Sequence, residues 1–339
     1  MNIIRNNKIL GLGLISGGLD SLIATHILKL QNIEVIGLNF KSPFCICDKA
    51  YKNSECGLQT FYSKFGMEIL FCQKEDDYLK IVNNPKFGYG RHLNPCIDCR
   101  IYILKKAKKI AKKIEADFIF TGEVLNQRPK SQNRKALNII EEETGMKGKL
   151  LRPLSALLLE PTILEKKGMI NRSKLLGIHG RSRKTQLDIA RNYGLLNEYY
   201  ACGGCLLTDS GFTRRMEDYL EYNKNYKMKD INLLKLGRHF RFKDSKIIVG
   251  RNQSENKKLI KLKNPKDIIM EVENVPGPIT VIHGNLNSEI LSFAAKLTLR
   301  YSDVQTPYGQ VRYGRNYHSL VKGINNYKAS MDEIENHII

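Results

Sequence analysis

Hydrophobic and polar positions along the first two hundred residues predict strands that alternate with helices. Short apolar runs rich in β-branched residues occupy residues 8–15 and 33–40, and the segment between them has apolar positions at helical spacing. The same alternation recurs at residues 66–72, 101–114 and 116–122. Such βαβ units predict a parallel sheet covered by helices on both faces, with ligands bound at the carboxyl ends of its strands.

Past residue 230 the pattern changes to short strands separated by turns. The run HFRFKDSKIIVGRN predicts a hairpin with KDSK at its tip, and NSEILSFAAKLTLRYS predicts a helix. We therefore predict an α/β domain over residues 1–225, a smaller α+β domain over 226–325 and a polar tail over 326–339.

The net charge of the chain indicates what kind of partner it binds. The 339 residues carry 55 Lys+Arg against 34 Asp+Glu, a formal net charge of +21, and 42% of them are hydrophobic. That composition excludes a disordered chain, and the excess of positive charge indicates a polyanionic partner, with nucleic acid first. Because no run of 18 apolar residues occurs, we expect a cytoplasmic protein without a membrane partner.

Residues 16–21, SGGLDS, stand between the first predicted strand and the first predicted helix. Glycines there allow a tight turn whose N–H groups meet an anion at a helix N-terminus. Ser16 and Ser21 offer hydroxyls to phosphate oxygens, and Asp20 can hold Mg²⁺ against them. The segment lacks the lysine of a Walker A motif and the third glycine of a dinucleotide fingerprint.

Four of the cysteines form two CxxC pairs, a spacing typical of metal or sulfur chemistry. Cys96 and Cys99 form one CxxC, and Cys202 and Cys205 form another. Paired CxxC units favour metal or sulfur chemistry over structural disulfides in a chain of this kind. Three possibilities stay open from spacing alone: a four-thiolate zinc site, a three-cysteine Fe–S cluster, and thiol chemistry in which one cysteine carries a persulfide that another resolves.

SGGLDS in this position resembles the PP-loop ATP pyrophosphatases, which have an adenine nucleotide alpha hydrolase-like α/β fold. The resemblance implies that ATP is cleaved to AMP and pyrophosphate, with AMP passed to a carbonyl oxygen of the substrate. It places Asn39 and Phe40 near the adenosine. The residues that it assigns to the pyrophosphate end are Ser16, Gly17, Gly18, Asp20 and Ser21.

Two further loops carry candidate ligand-binding residues. Gly122 follows the fourth strand and would allow close approach to ATP, while Gln127 in the same loop would reach phosphate or uracil. The segment that contains Arg181, Arg183 and Lys184 has the charge to bind phosphate, and we assign Arg181 to ATP and the other two to RNA.

The segments NPCIDCR and ACGGCLLTD sharpen the resemblance to the branch of tRNA 2-thiouridylases and 4-thiouridine synthetases. It implies ATP-dependent thiolation of a tRNA uridine, with Asp20 and the cysteines as catalytic residues. Cys96, Cys99 and Cys205 are the implied ligands of a [4Fe–4S] cluster, with Cys202 as a further candidate. Cysteine at position 96, where the wobble-uridine 2-thiouridylases have aspartate, favours the cluster, whereas ligation by all four would favour Zn²⁺.

Partners follow from the same resemblance. tRNA is the expected nucleic acid, and a homodimer is an open option. No rhodanese-like segment is recognised in this sequence, so we expect an external sulfur donor, either a desulfurase, a carrier protein or inorganic sulfide.

The later part of the chain resembles the RNA-binding domain of NFACT proteins. A strand, a Gly-Arg-Asn turn, a helix start and a Val-Pro-Gly turn recur in that order over residues 247–278. Phe240 and Phe242 alternate in the hairpin, where a core role is the more common one. The residues predicted to contact RNA here are Arg238, Arg241, Lys243 and Arg251.

Two other functions fit parts of the sequence. One is a PP-loop ligase or amidotransferase for a small molecule with structural zinc, against which the distributed positive charge argues. The other is a non-catalytic RNA-binding protein, against which the intact SGGLDS argues.

Overall fold

The computed structural model describes residues 8–46, 58, 65–196, 199, 204–320 and 322–339. The chain forms two compact units, Met1–Thr208 and Asp209–Ile339. The sequence placed this boundary near residue 225, and the structure differs because the Ser210–Tyr222 helix belongs to the second unit. Asp218 of that helix pairs with Lys246, a strand residue of the second unit, at 2.6 Å.

The first unit contains a five-stranded parallel sheet, as predicted. Its strands are β1 (Leu10–Leu14), β2 (Glu34–Lys41), β3 (Ile69–Gln73), β4 (Phe118–Thr121) and β5 (Leu150–Leu151), in the order β3-β2-β1-β4-β5. The helices are Leu19–Lys29, Asp77–Asn83, Cys96–Lys113, Arg134–Thr144, Ile163–Lys166 and Lys184–Asn192.

Both faces of this sheet are buried, and β1 shows how its sequence fits them. Leu10, Leu12 and Leu14 join the apolar cluster that includes one side of the Cys96–Lys113 helix. On the opposite face β1 has glycines, because the rings of β4 occupy that space: a Cβ on Gly11 would lie 2.7 Å from the ring of Phe118. The alternation of leucine and glycine thus fixes β1 at the centre of the sheet.

Strand order also locates the ligand-binding crevice. The order reverses between β1 and β4, so the connections that leave these two strands run to opposite sides. In open α/β sheets ligands bind outside the carboxyl ends of the strands at such a switch point. Residues 16–21 follow β1 and Gly122 follows β4, so both predicted loops lie at this edge.

The second unit is a six-stranded antiparallel sheet with helices, which confirms the predicted α+β class. Its strands are β6 (Arg238–Phe242), β7 (Ser245–Val249), β8 (Ile268–Val272), β9 (Thr280–His283), β10 (Tyr308–Gly314) and β11 (Lys322–Tyr327), in the order β11-β10-β8-β9-β7-β6. The helices are Ser210–Tyr222, Gln253–Leu262, Ser288–Arg300 and Met331–His337.

The segment predicted as a polar tail is instead part of this unit. Its residues complete β11 and form the Met331–His337 helix, which Ser330 and Glu333 cap reciprocally. Ala329 and Ile334 are both buried in the core of the unit, so two apolar side chains anchor this mostly polar segment. In the part of the chain that the structure describes, no helix is both long and apolar enough to cross a membrane.

Candidate active site

The SGGLDS loop has the backbone of an anion site. Gly17 has φ +84°, a left-handed conformation that favours glycine, and Gly18 is extended as it enters the Leu19–Lys29 helix. The Ser21 hydroxyl donates to the Gly18 carbonyl at 2.8 Å and holds the turn closed. Among the described residues no side chain caps the start of this helix, so its first N–H groups and its dipole can face an anion.

Asp20 is held by groups from two other segments. Gln127 donates to its Oδ2 at 3.1 Å, and Gln186 donates to its Oδ1 at 3.3 Å. A guanidinium nitrogen of Arg183 lies 3.9 Å from Oδ2. Arg183, predicted to bind RNA, therefore lies beside the phosphate loop, and it is exposed, as are Arg181 and Lys184.

Gln186 was not among the predicted residues. It is fully buried, and its Oε1 has no hydrogen-bond partner among the described residues, although its amide nitrogen binds Asp20. Only tertiary structure brings it to the loop, since more than 160 residues separate the two positions. Gln186 lies in an amphipathic helix that also carries Leu187, Ile189 and Ala190, and a single glutamine there is too weak a sequence signal to identify it.

Gly122, predicted to allow close approach to ATP, packs against the backbone of Asp20 and Ser21. A Cβ at this position would lie 2.6 Å from the Ser21 nitrogen and 2.7 Å from the Asp20 carbonyl carbon. The loop after β4 therefore packs directly on the phosphate loop, and this contact explains the glycine. Asn39 plays a similar part, because its amide donates to the Ile15 carbonyl at 2.7 Å and ties β2 to the start of the same loop.

Replacing Gly122 with alanine is expected to displace the phosphate loop. Neither backbone atom can move without its neighbours, so we expect a stability loss of about 1–3 kcal/mol together with weaker ATP binding. Denaturant unfolding and an ATP titration measure the two effects. Gly177→Ala is the matched control, since its Cβ would meet nothing closer than 3.5 Å. Equal effects in both variants would contradict this explanation.

The Cys96–Cys99 pair occupies the first turn of the Cys96–Lys113 helix, where sulfur, arginine and lysine side chains converge. Lys74, just past β3, donates to the Cys99 sulfur at 3.0 Å, and its ammonium lies 4.1 Å from the ring centre of Tyr78. Burial would raise the pKa of Cys99, but Lys74 and the Tyr78 hydroxyl hold it below its usual value. Cys99 therefore has the electrostatic environment of a reactive thiolate.

The other predicted cysteines differ from Cys99. Burial raises the pKa of the Cys205 thiol to about 12, and burial together with the neighbouring Cys99 raises that of Cys96. Cys45, which was not predicted, lies opposite Cys205 in a short antiparallel bridge. Cys202 lies outside the described residues.

The described cysteines do not by themselves form a metal site of three or more ligands. Across the described ranges, no group of three or more His, Cys, Asp or Glu side chains is placed to hold one. The ammonium of Lys74 lies beside the Cys99 sulfur, so a metal cation bound to this sulfur would be repelled by Lys74. Cys202 lies outside the described ranges, and the [4Fe–4S] cluster and Zn²⁺ stay predictions.

A buried ion network connects the cysteine helix to the loop after β4. The Glu123 carboxylate is 2% exposed and lies 3.2 Å from Arg100 and 3.1 Å from Arg152. Burial would raise the pKa of Glu123, but the two guanidiniums hold it below its usual value. Burial and the nearby Arg100 also lower the pKa of Arg128, so this edge of the sheet concentrates positive charge suited to a polyanion.

In the second unit the predicted RNA-binding residues have partners within the protein. Arg241 makes two hydrogen bonds to Asp218, at 2.7 and 2.8 Å, and its guanidinium is largely buried. Phe240 is fully buried, as its alternation with Phe242 predicts. The remaining cations are less buried: Lys243 pairs with Glu289, Arg251 pairs with Glu255, and Arg238 stacks on Tyr301.

Comparison with known proteins bears on both units. Residues 237–338 match the family model described as NFACT protein RNA binding domain, which confirms that resemblance. A curated relative is the tRNA-specific 2-thiouridylase MnmA of Listeria monocytogenes serotype 4a (strain HCC23), 26% identical over 236 residues. That match covers 66% of this chain and 59% of the relative, so the chain spans well under two thirds of the relative's length.

Solved structures resemble the chain only distantly. A 4-thiouridine synthetase–RNA complex with bound ATP has a TM-score of 0.38 and 19% identity, covering 56% of this chain and 42% of that one. The C-terminal part of the fibronectin/fibrinogen-binding protein from Streptococcus suis has a TM-score of 0.27 and 14% identity, covering 71% and 100%. Scores this low support no argument about the site.

A family model identifies the first unit. Its parallel sheet has the phosphate loop after the first strand, as the PP-loop resemblance implies, and residues 7–189 match a single family model. That match spans more than half of the 339 residues. The chain therefore belongs to the family described as thiamine biosynthesis protein (ThiI).

Proposed function

We propose that this protein is an ATP-dependent tRNA uridine thiolase. The observation that carries the proposal is that the phosphate loop and the Lys74–Cys99 pair both follow strands at the carboxyl edge of one sheet. The phosphate loop follows β1, Lys74 with its partner Cys99 follows β3, and Arg100 connects the cysteine helix to Glu123 after β4. Family membership and the thiouridylase relative support the same reaction.

The chemistry begins with a poor leaving group. The carbonyl oxygen of uracil attacks the α-phosphorus of ATP, the bond to pyrophosphate breaks, and the oxygen leaves later as part of AMP. The SGGLDS amides and the nearby Arg183 receive the phosphates, because both place positive charge where the pyrophosphate anion develops. A sulfur nucleophile then adds to the same carbon and displaces AMP, which leaves a C=S bond.

Mg²⁺ fits the phosphate loop. Asp20 supplies a carboxylate, Ser16 and Ser21 supply hydroxyls, and such ions are commonly held by one or two carboxylates together with substrate phosphates. Gln127 and Gln186 fix the orientation of that carboxylate without neutralising it. When bound, the ion would offset the negative charge of the leaving pyrophosphate.

Cys99 is the sulfur-carrying residue that the geometry favours. Lys74 and Tyr78 stabilise its thiolate, which is the form that accepts a sulfur atom from a donor. The donor is external: the Cys99 thiolate attacks the outer sulfur of a persulfide on a desulfurase or carrier protein, and the donor leaves as a thiolate. The outer sulfur of the Cys99 persulfide attacks the activated uracil carbon, AMP leaves, and two equivalents of an added thiol reductant cleave the S–S bond to give the C=S product and free Cys99. Inorganic sulfide, the other donor, would attack the activated carbon directly without a cysteine carrier. A [4Fe–4S] cluster on Cys96, Cys99 and Cys205 is the alternative that the resemblance implies, and iron and acid-labile sulfide in anaerobically purified protein would support it.

RNA binding completes the proposal. The match of residues 237–338 to an RNA-binding domain and the net charge of +21 support tRNA as the polyanionic partner. The exposed cations that remain for this contact include Lys184 of the first unit and Lys243 of the second.

The direct test uses purified protein, unmodified tRNA, ATP, and a cysteine desulfurase with cysteine and dithiothreitol as the source of persulfide sulfur and of thiol reductant. We expect a thionucleoside by mass spectrometry and one AMP formed for each sulfur incorporated, with neither product when tRNA or ATP is omitted. Formation of AMP on a small-molecule acceptor without tRNA would overturn the proposal in favour of a ligase. Binding of tRNA without any AMP formation would overturn it in favour of a non-catalytic RNA-binding protein.

A further inference from the structure

Cys45 and Cys205 lie directly opposite each other on two antiparallel segments of the first unit. Cys45 follows β2, and Cys205 precedes the short turn Leu206–Thr208. The backbone bonds lie on either side of the two cysteines and not between them. These bonds run from the Ile46 N–H to the Gly204 carbonyl at 3.3 Å and from the Leu206 N–H to the Phe44 carbonyl at 2.8 Å.

This pattern defines a non-hydrogen-bonded antiparallel pair. In such pairs the Cα atoms are about 4.5 Å apart and the two side chains project from the same face. Disulfides span Cα distances of roughly 4.4–6.8 Å. The backbone therefore already holds Cys45 and Cys205 within bridging distance, and both cysteines are half-buried free thiols.

Other described cysteines are less suited to a bridge with Cys205. Cys99 is engaged with Lys74 and Tyr78, and Cys72 lies on β3 with its thiol directed to the neighbouring Gln73 carbonyl. The Cys45 sulfur, by contrast, lies in a long contact of 3.7 Å with the Ser42 hydroxyl. A bridge between Cys45 and Cys205 thus requires no change in the backbone that already holds them opposite each other.

We propose that Cys45 and Cys205 form a reversible disulfide, a redox modification site within the candidate active site. Oxidised glutathione is a sufficient oxidant. One cysteine thiolate attacks a sulfur of glutathione disulfide and releases one glutathione, and the second cysteine then attacks the mixed disulfide and releases the other. Two protein thiols lose two electrons and two protons, and one glutathione disulfide becomes two glutathiones.

The bridge has a consequence that rests on the proposed function. It removes the Cys205 thiol and fixes residue 205 to the segment after β2, beside the Lys74–Cys99 pair. Thiolation activity should therefore fall in proportion to the fraction of bridged protein and return on treatment with dithiothreitol.

The structural part is tested on the full chain without tRNA or ATP, so that failure of the proposed function leaves it intact. Protein is equilibrated with glutathione disulfide, alkylated and digested, and disulfide-linked peptides are mapped by mass spectrometry. We expect a Cys45–Cys205 peptide that is retained in Cys72→Ser and absent from Cys45→Ser. Linkage of Cys96 to Cys99, linkage of Cys205 to any cysteine other than Cys45, or full alkylation of both thiols overturns the proposal.

Discussion

The Cys99→Ser variant is expected to lose tRNA thiolation by on the order of 10³-fold or more while still binding ATP. A serine hydroxyl cannot carry the sulfur atom, and it is not ionised by the Lys74 ammonium that faces it at neutral pH. The phosphate loop is built from other segments, so the affinity for ATP should stay at the wild-type value. Thionucleoside formation and ATP titration measure the two properties separately.

Cys72→Ser is the matched control for this experiment. Cys72 is a free, half-buried cysteine on β3, close in sequence to Lys74, and its thiol donates to the Gln73 carbonyl at 3.8 Å. We expect wild-type activity from this variant. If Cys99→Ser retains activity, or if both substitutions reduce it equally, Cys99 is not the sulfur-carrying residue.

The Glu123→Gln variant is expected to lose about 3 kcal/mol of folding stability, because the neutral amide removes one of the two carboxylates that offset the buried charge of Arg152 and also removes the carboxylate that pairs with Arg100. Arg152 is 2% exposed and keeps only Glu141 as a carboxylate partner. Arg100 loses the partner that holds the cysteine helix to the loop after β4. Equilibrium unfolding in denaturant measures the loss.

The pH dependence of this loss has a defined sign. The folded-state pKa of Glu123 is lowered, so its carboxylate contributes stability above its unfolded pKa and loses that contribution as pH falls through the folded value. The gap between wild type and Glu123→Gln should therefore be full at neutral pH and narrow in acid. A gap that widens in acid would show that the ion network is not its source.

Glu143→Gln provides the comparison for a surface ion pair in the same unit. Its partner Lys86 is 64% exposed, so its removal should cost only about 0–1 kcal/mol. A similar cost for Glu143→Gln and Glu123→Gln would refute the special role of the buried network.

The sequence predicted the elements whose hydrophobic periodicity is visible over a few neighbouring residues. Strand and helix periods predicted β1, β2 and the Leu19–Lys29 helix, because apolar burial on both faces of a parallel sheet leaves a continuous hydrophobic signal. The hairpin with its tip at KDSK was likewise predicted and is present as β6 and β7. The boundary at residue 208 was not predicted, since it depends on the pairing of Asp218 with Lys246 across the chain.

Within the candidate site, the sequence predicted the residues of a continuous motif but not the residues that distant contacts bring to the site. SGGLDS is a continuous motif, so its position after β1 and before a helix was predictable from sequence. Lys74 and Gln186 carry no motif of their own, and their roles depend on contacts with Cys99 and Asp20. Arg241 was predicted to bind RNA because hairpin cations often do, but its bidentate bond to Asp218 commits it to the fold.

By itself the sequence determined the order of the elements, the phosphate loop, the cysteine spacing and the family resemblance, because each is written in residues close together along the chain. Only the tertiary structure decided which thiol is paired with a buried ammonium, which cysteine lies opposite Cys205 and which arginines surround Glu123. The physical reason is that charge, burial and disulfide geometry depend on distances between residues far apart in sequence, and these distances are set when the strands pair.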